Sequence, residues 1–200
     1  MKSVREAEVR GKRVLVRCDL DVPLEKSKGE SQKAKVRVVD DFRIKACLPT
    51  LEYLVKEGAK VIICGHLNRP KGKVVAELRL DPIAEILSEH LEFVHKADEV
   101  IGPVVRDVVG EMEEGDILLL ENLRFHPGEE KNDPQFAQDL ASLADFYVNE
   151  AFAVSHREHA SVVGVTKYLP SYAGLRLEEE VKKLTKVKEN PQRPLVFIIG

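Results

Sequence analysis

The stretch "KVIICGHLNRPKGK" (residues 60–73) opens as a buried strand and closes as a cluster of positive charge. Val61, Ile62, Ile63 and Cys64 form a continuous apolar run, the pattern of a parallel strand covered on both faces rather than one half exposed to water. His66, Arg69, Lys71 and Lys73 come directly after it, with Pro70 stiffening and Gly72 loosening the loop. Similar short runs recur at residues 14–17, 93–95, 117–120, 146–149 and 195–199. Longer stretches bearing helix signals separate them. Alternation of this kind means βαβ units with right-handed crossovers, so the expected fold is α/β: a doubly wound, Rossmann-like parallel sheet flanked by helices.

The helix starts are marked by chemistry. Asp81-Pro82 and Asp133-Pro134 each set a capping carboxylate before a proline, whose missing N–H costs nothing at the first helical position. Gly102-Pro103 is a weaker version. Asp41 is expected to cap "FRIKACLPTLEYLVKEG" (42–58), with Pro49 kinking or restarting the helix and Gly58 ending it. In "LRLEEEVKKLTKVKEN" (175–190), Leu177, Val181 and Leu184 share a stripe, and Glu178–Lys182 and Glu179–Lys183 stand in the favourable helical order. The polar stretch 25–35 reads as an exposed loop. The closing "RPLVFIIG" (193–200) reads as a strand with no crossover after it, so the chain is expected to be cut short of its natural end.

The 200 residues are ample for a hydrophobic core, and 44% hydrophobic beside 32% charged residues is ordinary globular composition. The net charge of −3 argues against a surface built to coat nucleic acid, so any anion site must be local. Three cysteines, Cys18, Cys47 and Cys64, form no CxxC pair and read as buried thiols of a reducing compartment. No apolar leader and no run long enough to span a membrane is present, which points to the cytoplasm.

Ligands of open α/β sheets bind beyond the carboxyl ends of the strands. The residues just past each strand are therefore informative: Asp19, Leu20 and Asp21 after the first; His66 and Arg69; Arg124 and His126; His156 and Arg157; and Arg43 behind Asp41. Any one of these arginines alone reads as a solvated loop charge or a helix cap, and Asp19 and Asp21 as turn residues before Pro23. Together, guanidiniums and imidazoles suit a small polyanion bearing phosphate, carboxylate or both. No GxxxxGK[ST], GxGxxG or GxSxG motif occurs, and "HREH" (156–159) reads as a loop or helix start rather than a zinc site.

Six segments, "VLVRCDLDVPL", "DDFRIKACLPTLEYL", "GHLNRP", "LLLENLRFHPGEEKND", "YVNEAFAVSHREHAS" and "YAGLRLEEE", occur in an order and spacing that resembles the amino-terminal half of phosphoglycerate kinases. The resemblance implies a 3-phosphoglycerate-binding domain over residues 1–174, an interdomain helix over 175–192, and at 193–200 the first strand of a nucleotide domain otherwise absent. It implies a substrate site of Asp19, Leu20, Asp21, Arg43, His66, Leu67, Asn68, Arg69, Arg124, His156 and Arg157, with Arg43 as the catalytic residue. By the same resemblance, phosphoryl transfer between ATP and the carboxylate of 3-phosphoglycerate would give 1,3-bisphosphoglycerate and ADP in glycolysis. Mg²⁺ with ATP or ADP would be bound mainly by the missing domain, and no cofactor or metal within this chain. A monomer without nucleic-acid or membrane partners is implied. The 200 residues alone would bind substrate without turnover; a non-catalytic small-anion-binding module is the alternative. Three positions depart from the family pattern: Asp21 replaces Asn, Asn68 replaces the glycine of "HLGRP", and Glu150 replaces the aspartate of "VNDAF". Asp21 is expected to weaken anion affinity, and Asn68 is tolerable if its φ is positive.

Overall fold

The computed structural model describes residues 1–26, 36–196 and 198. In chain order the elements are β1 (Arg13–Arg17), β2 (Leu24–Lys26), β3 (Val36–Val38), α1 (Phe42–Lys56), β4 (Lys60–Cys64), α2 (Asp81–His90), β5 (Val94–Lys96), α3 (Pro103–Glu111), β6 (Ile117–Leu119), α4 (Pro134–Ala141), β7 (Phe146–Asn149), β8 (Ser171–Ala173) and α5 (Leu175–Glu189). Short 3-10 and π turns, including Leu123–Phe125 and Ala160–Gly164, join them. Six strands form one sheet in the order β5-β6-β4-β1-β7-β8, every pair parallel, while β2 and β3 make a separate antiparallel hairpin. The expected doubly wound parallel sheet is therefore present.

The unbroken apolar runs divide by parity, because successive strand side chains point to opposite faces. Val14, Val16, Val61, Ile63, Ile117 and Leu119 join Ile44, Leu51 and Leu54 of α1 and Ile83 and Leu87 of α2 in one core. Leu15, Ile62, Cys64 and Leu118 join Val105 and Val109 of α3 and Phe136 and Leu140 of α4 in the other. Both faces are dry, so neither parity can be polar. All three cysteines are buried thiols, and no helix among the described residues is long and apolar enough to cross a membrane.

Several local expectations need correction. Pro49 lies inside an unbroken α1. The bond it forfeits belongs to the carbonyl of Lys45, and both residues are exposed, so water can serve that oxygen. Asp81 does not cap α2. Leu80 occupies the cap position, its N–H held by Glu121 Oε1, and Asp81 sits in the first turn. Asp41 takes the cap position of α1 without a capping bond; its carboxylate pairs with Lys45, while Asp40 accepts the Phe42 N–H. Asp133 does cap α4, through the Phe136 N–H. Phe93 stands outside β5 with φ 54° and an exposed ring. On α5 the two Glu–Lys pairs form, but of the expected stripe only Leu177 is buried, and Leu184 is exposed. The exposed loop expected at 25–35 lies mostly outside the described residues, and its first two residues belong to β2. No strand forms at Leu195, Val196 or Ile198, and the rest of that expected strand lies outside the described residues.

Candidate functional site

The connections after β1 and β4 run through α1 and α2 over one face, and those after β5 and β6 through α3 and α4 over the other. Since β4 adjoins β6 and β1 adjoins β7, the winding changes face there, and crevices open beyond the carboxyl ends at such junctions. The loops after β1, β4, β6 and β7 meet at this end. Gly65 permits the approach: a Cβ there would press on the Leu20 side chain and the Cys18 carbonyl.

A basic cluster fills the crevice between the loops. The Asn68 N–H donates to Asp21 Oδ1 at 2.7 Å, and Arg124 Nη1 donates to the Asn68 carbonyl at 2.7 Å. His66 Nε2 faces Asp21 Oδ2 at 3.6 Å. Asn122 braces the loop from below, its Oδ1 accepting from the N–H groups of Leu67 and Arg124 and its amide donating to the carbonyls of Leu67 and Leu78. Arg124 is 2% exposed, and its Nε lies 3.4 Å from Glu130 Oε1 without a hydrogen bond. Arg124 Nε and Arg157 Nε are both buried with no hydrogen-bond partner among the described residues. Burial above all, then the charges of Arg17, Arg124, His159 and Arg157, push the His66 imidazole down to about 2. Burial likewise lowers Arg124, with Arg157 and Arg17 adding repulsion and Glu130 and Asp21 opposing it. Buried guanidinium donors that make no hydrogen bond are costly, and a bound anion would relieve them.

A second lobe adjoins the first. Arg43 Nη1 donates to Asp19 Oδ2 at 2.7 Å, and Asp19 Oδ1 accepts from the Asp21 N–H at 3.4 Å, which links α1 to the cluster. Both line a pocket of about 300 Å³ with Phe42, Cys47, Glu150, Phe152 and Arg176. Glu150 is buried beside it. Its Oε1 accepts from the Thr50 hydroxyl and the Arg176 N–H, Thr50 Oγ1 accepts from the Leu175 N–H, and Glu150 Oε2 has no hydrogen-bond partner among the described residues. Burial pushes this carboxyl up to about 7 against those hydrogen bonds.

Of the residues picked out by sequence, Asp19, Asp21, Arg43, His66, Asn68 and Arg124 form one contact chain, and Arg157 stands close enough to bear on His66 and Arg124. Leu20 and Leu67 are buried and shape the loops. Asn68 adopts φ 58°, the positive value its replacement of glycine demands. Arg69 and His156 are exposed side chains that this contact chain does not include. His126 serves structure, stacked on Phe136 at 4.1 Å and accepting the Gly128 N–H. Sequence reasoning passed over Arg17, Glu129, His159 and Ser161, which form a buried layer beneath His66. One signal existed: a charged residue closing a strand otherwise apolar on both faces must have a partner.

A family model described as phosphoglycerate kinase matches residues 4–200. Among solved structures, the chain is similar to phosphoglycerate kinase from Coxiella burnetii, with 35% identity and a TM-score of 0.78 over 96% of this chain and 46% of that one. It is similar also to phosphoglycerate kinase from Pyrococcus horikoshii OT3, with 30% identity and a TM-score of 0.81 over 97% of this chain and 47% of that one. The chain thus spans about half the length of these relatives. With the strand order, the crevice and these matches in agreement, the chain belongs to the phosphoglycerate kinase family.

Proposed function

We propose that this chain is the 3-phosphoglycerate-binding half of a phosphoglycerate kinase and binds that ligand in the basic crevice without turning it over alone. The observation that carries this reading is the pair of buried guanidinium nitrogens, Arg124 Nε and Arg157 Nε, which make no hydrogen bond among the described residues, the first offset only by the Glu130 carboxylate at 3.4 Å. Their donors suit the non-transferred phosphate, with His66 and the more exposed Arg69 completing the set. Asp19 spends one oxygen on Arg43 and one on a weak backbone contact, and a carboxylate has lone pairs to spare for the substrate hydroxyl. Arg43, half-exposed and steered by Asp19, is the group to neutralise the phosphoryl in flight, since such transfer depends on positioning and charge rather than on proton movement.

MgATP or MgADP enters as the second substrate and supplies or receives the phosphoryl group. Nucleotide binding is assigned to the carboxy-terminal domain that the family resemblance implies. Work as a cytoplasmic, glycolytic monomer belongs to the same proposal.

Calorimetry with 3-phosphoglycerate tests the site. Saturable heat that Arg124→Ala or Arg43→Ala abolishes supports it, and no heat at millimolar ligand overturns it. A coupled assay on the 200-residue chain should show essentially no turnover, because closure of two domains excludes water from the reacting groups. Robust activity would refute the division of labour.

A further inference from the structure

Beneath the crevice runs a buried polar chain that reaches the anion site only through His66. The Ser161 hydroxyl donates to Glu129 Oε1 at 2.6 Å, and the Ser161 N–H donates to Glu129 Oε2 at 3.0 Å. The same hydroxyl oxygen accepts from Arg17 Nε at 3.0 Å. Arg17 Nη1 donates to the Cys18 carbonyl, and its Nη2 meets His66 Nδ1 at 2.9 Å. Every member is buried: Arg17 is 1% exposed, Glu129 and Ser161 0%, His66 3%. The Tyr147 hydroxyl fixes Ser161 further by donating to its carbonyl at 2.8 Å.

The donor rules allow one assignment of protons. A guanidinium has no lone pair to offer, so the Arg17–His66 contact requires His66 Nδ1 to accept. The ring proton must then sit on Nε2, the nitrogen that faces Asp21 and the crevice. The ring cannot gain a second proton without breaking the Arg17 bond. Its other charged or titratable neighbours, Arg124, Arg157 and His159, oppose protonation as well, and only Asp21 favours it.

We infer that Glu129 is a positioning residue which, through Ser161 and Arg17, locks His66 as a neutral Nε2–H donor aimed at the bound anion. This rests on reading the crevice as a phosphate-bearing ligand site. The carboxylate compensates the buried guanidinium across the hydroxyl and fixes the angle at which Arg17 meets the imidazole. The site thereby draws its positive charge from arginines alone, and His66 contributes a directed hydrogen bond that does not vary with pH.

Long-range ¹⁵N–¹H NMR of the histidine rings in the 200-residue chain, with and without 3-phosphoglycerate, is the test. The expected result is a His66 signal of the Nε2–H type that does not titrate between pH 5.5 and 8. Nδ1–H, or titration near the ordinary histidine value, overturns the inference and needs no variant that could fail to fold. In Glu129→Gln and Ser161→Ala, His66 should begin to titrate or show mixed tautomers, and affinity should fall about ten-fold, the equivalent of one lost hydrogen bond. Folded variants with weaker binding but an unchanged Nε2–H signal would make Glu129 merely structural and refute the proposal. A wild-type chain that gives the Nε2–H signal yet binds no 3-phosphoglycerate would instead refute the reading of the site.

Discussion

Glu150→Gln should abolish a pH dependence of stability that the fold builds in at the root of α5. Glu150 is 2% exposed, and burial raises its carboxyl from an ordinary 4.5 to about 7. A folded-state value above the unfolded one means that the native chain holds the proton more tightly. The stabilisation is therefore complete below about pH 4.5 and is lost as pH rises through 7. At about 1.4 kcal/mol for each pH unit of displacement, the loss is about 3 kcal/mol, most of it between pH 5 and pH 8. Glutamine can keep its carbonyl oxygen under the Thr50 hydroxyl and the Arg176 N–H and removes the charge that burial penalises. Thermal melts of both proteins at pH 5, 6, 7 and 8 give the readout as a difference, so titrations common to both cancel. The advantage of the variant over wild type should grow with pH by about 2–3 kcal/mol, or roughly 4–12 °C in Tm for a chain of this size. A difference that stays flat or shrinks as pH rises would show that Glu150 is ionised and satisfied, and would refute the reasoning.

Gly174→Ala should cost about 1–3 kcal/mol by overpacking, because its Cβ would collide with Glu150 Oε2. Adding Glu150→Asp, one methylene shorter, should restore part of that loss in a double-mutant cycle read by urea unfolding; strict additivity would rule out the contact. Asn68→Ala should lose about 1 kcal/mol, since alanine resists positive φ, whereas Asn68→Gly should hold or gain stability in the same assay. Ile62→Ala, wholly buried between the sheet and the α3–α4 layer, should lose about 2–5 kcal/mol by chemical denaturation. A loss below 1 kcal/mol would mean that the second face of the sheet is loosely packed.

The central strands were legible because both faces of the sheet are covered, which makes their interior positions apolar and leaves a run that no amphipathic helix would show. The segments that escaped notice lacked that signature. β8 is the three residues Ser171–Ala173 at the sheet edge, and β2 and β3 form a half-exposed hairpin. For the candidate site, the rule that ligands gather beyond strand ends singled out Asp19, His66 and Arg124, since each lies within a few residues of a strand terminus. Glu129 and Ser161 obey no such rule. They stand 32 positions apart on either side of β7 and meet beneath a strand they precede or follow. Only the strand order brings Arg17 over them, and strand order is not written in local periodicity.

Two departures from the family pattern are better understood as one. Considered separately, Asp21 adds negative charge to the proposed anion site, and Asn68 puts a side chain where glycine is usual. In the structure the Asn68 N–H donates to Asp21 Oδ1, so part of the added charge is spent holding the loop that carries the changed residue. Asn68 Oδ1 in turn accepts the Arg69 N–H, and the Asn68 carbonyl accepts from Arg124. A charge-assisted bond is worth more than a neutral one, so Asp21 can fix a left-handed turn that asparagine adopts less readily than glycine. Asp21→Asn alone should therefore loosen the turn while easing repulsion of the ligand, whereas Asp21→Asn with Asn68→Gly should keep the turn and gain affinity. Calorimetry with 3-phosphoglycerate separates the cases. If Asp21→Asn alone binds as tightly as the double variant, the two positions are independent and the turn does not need the carboxylate.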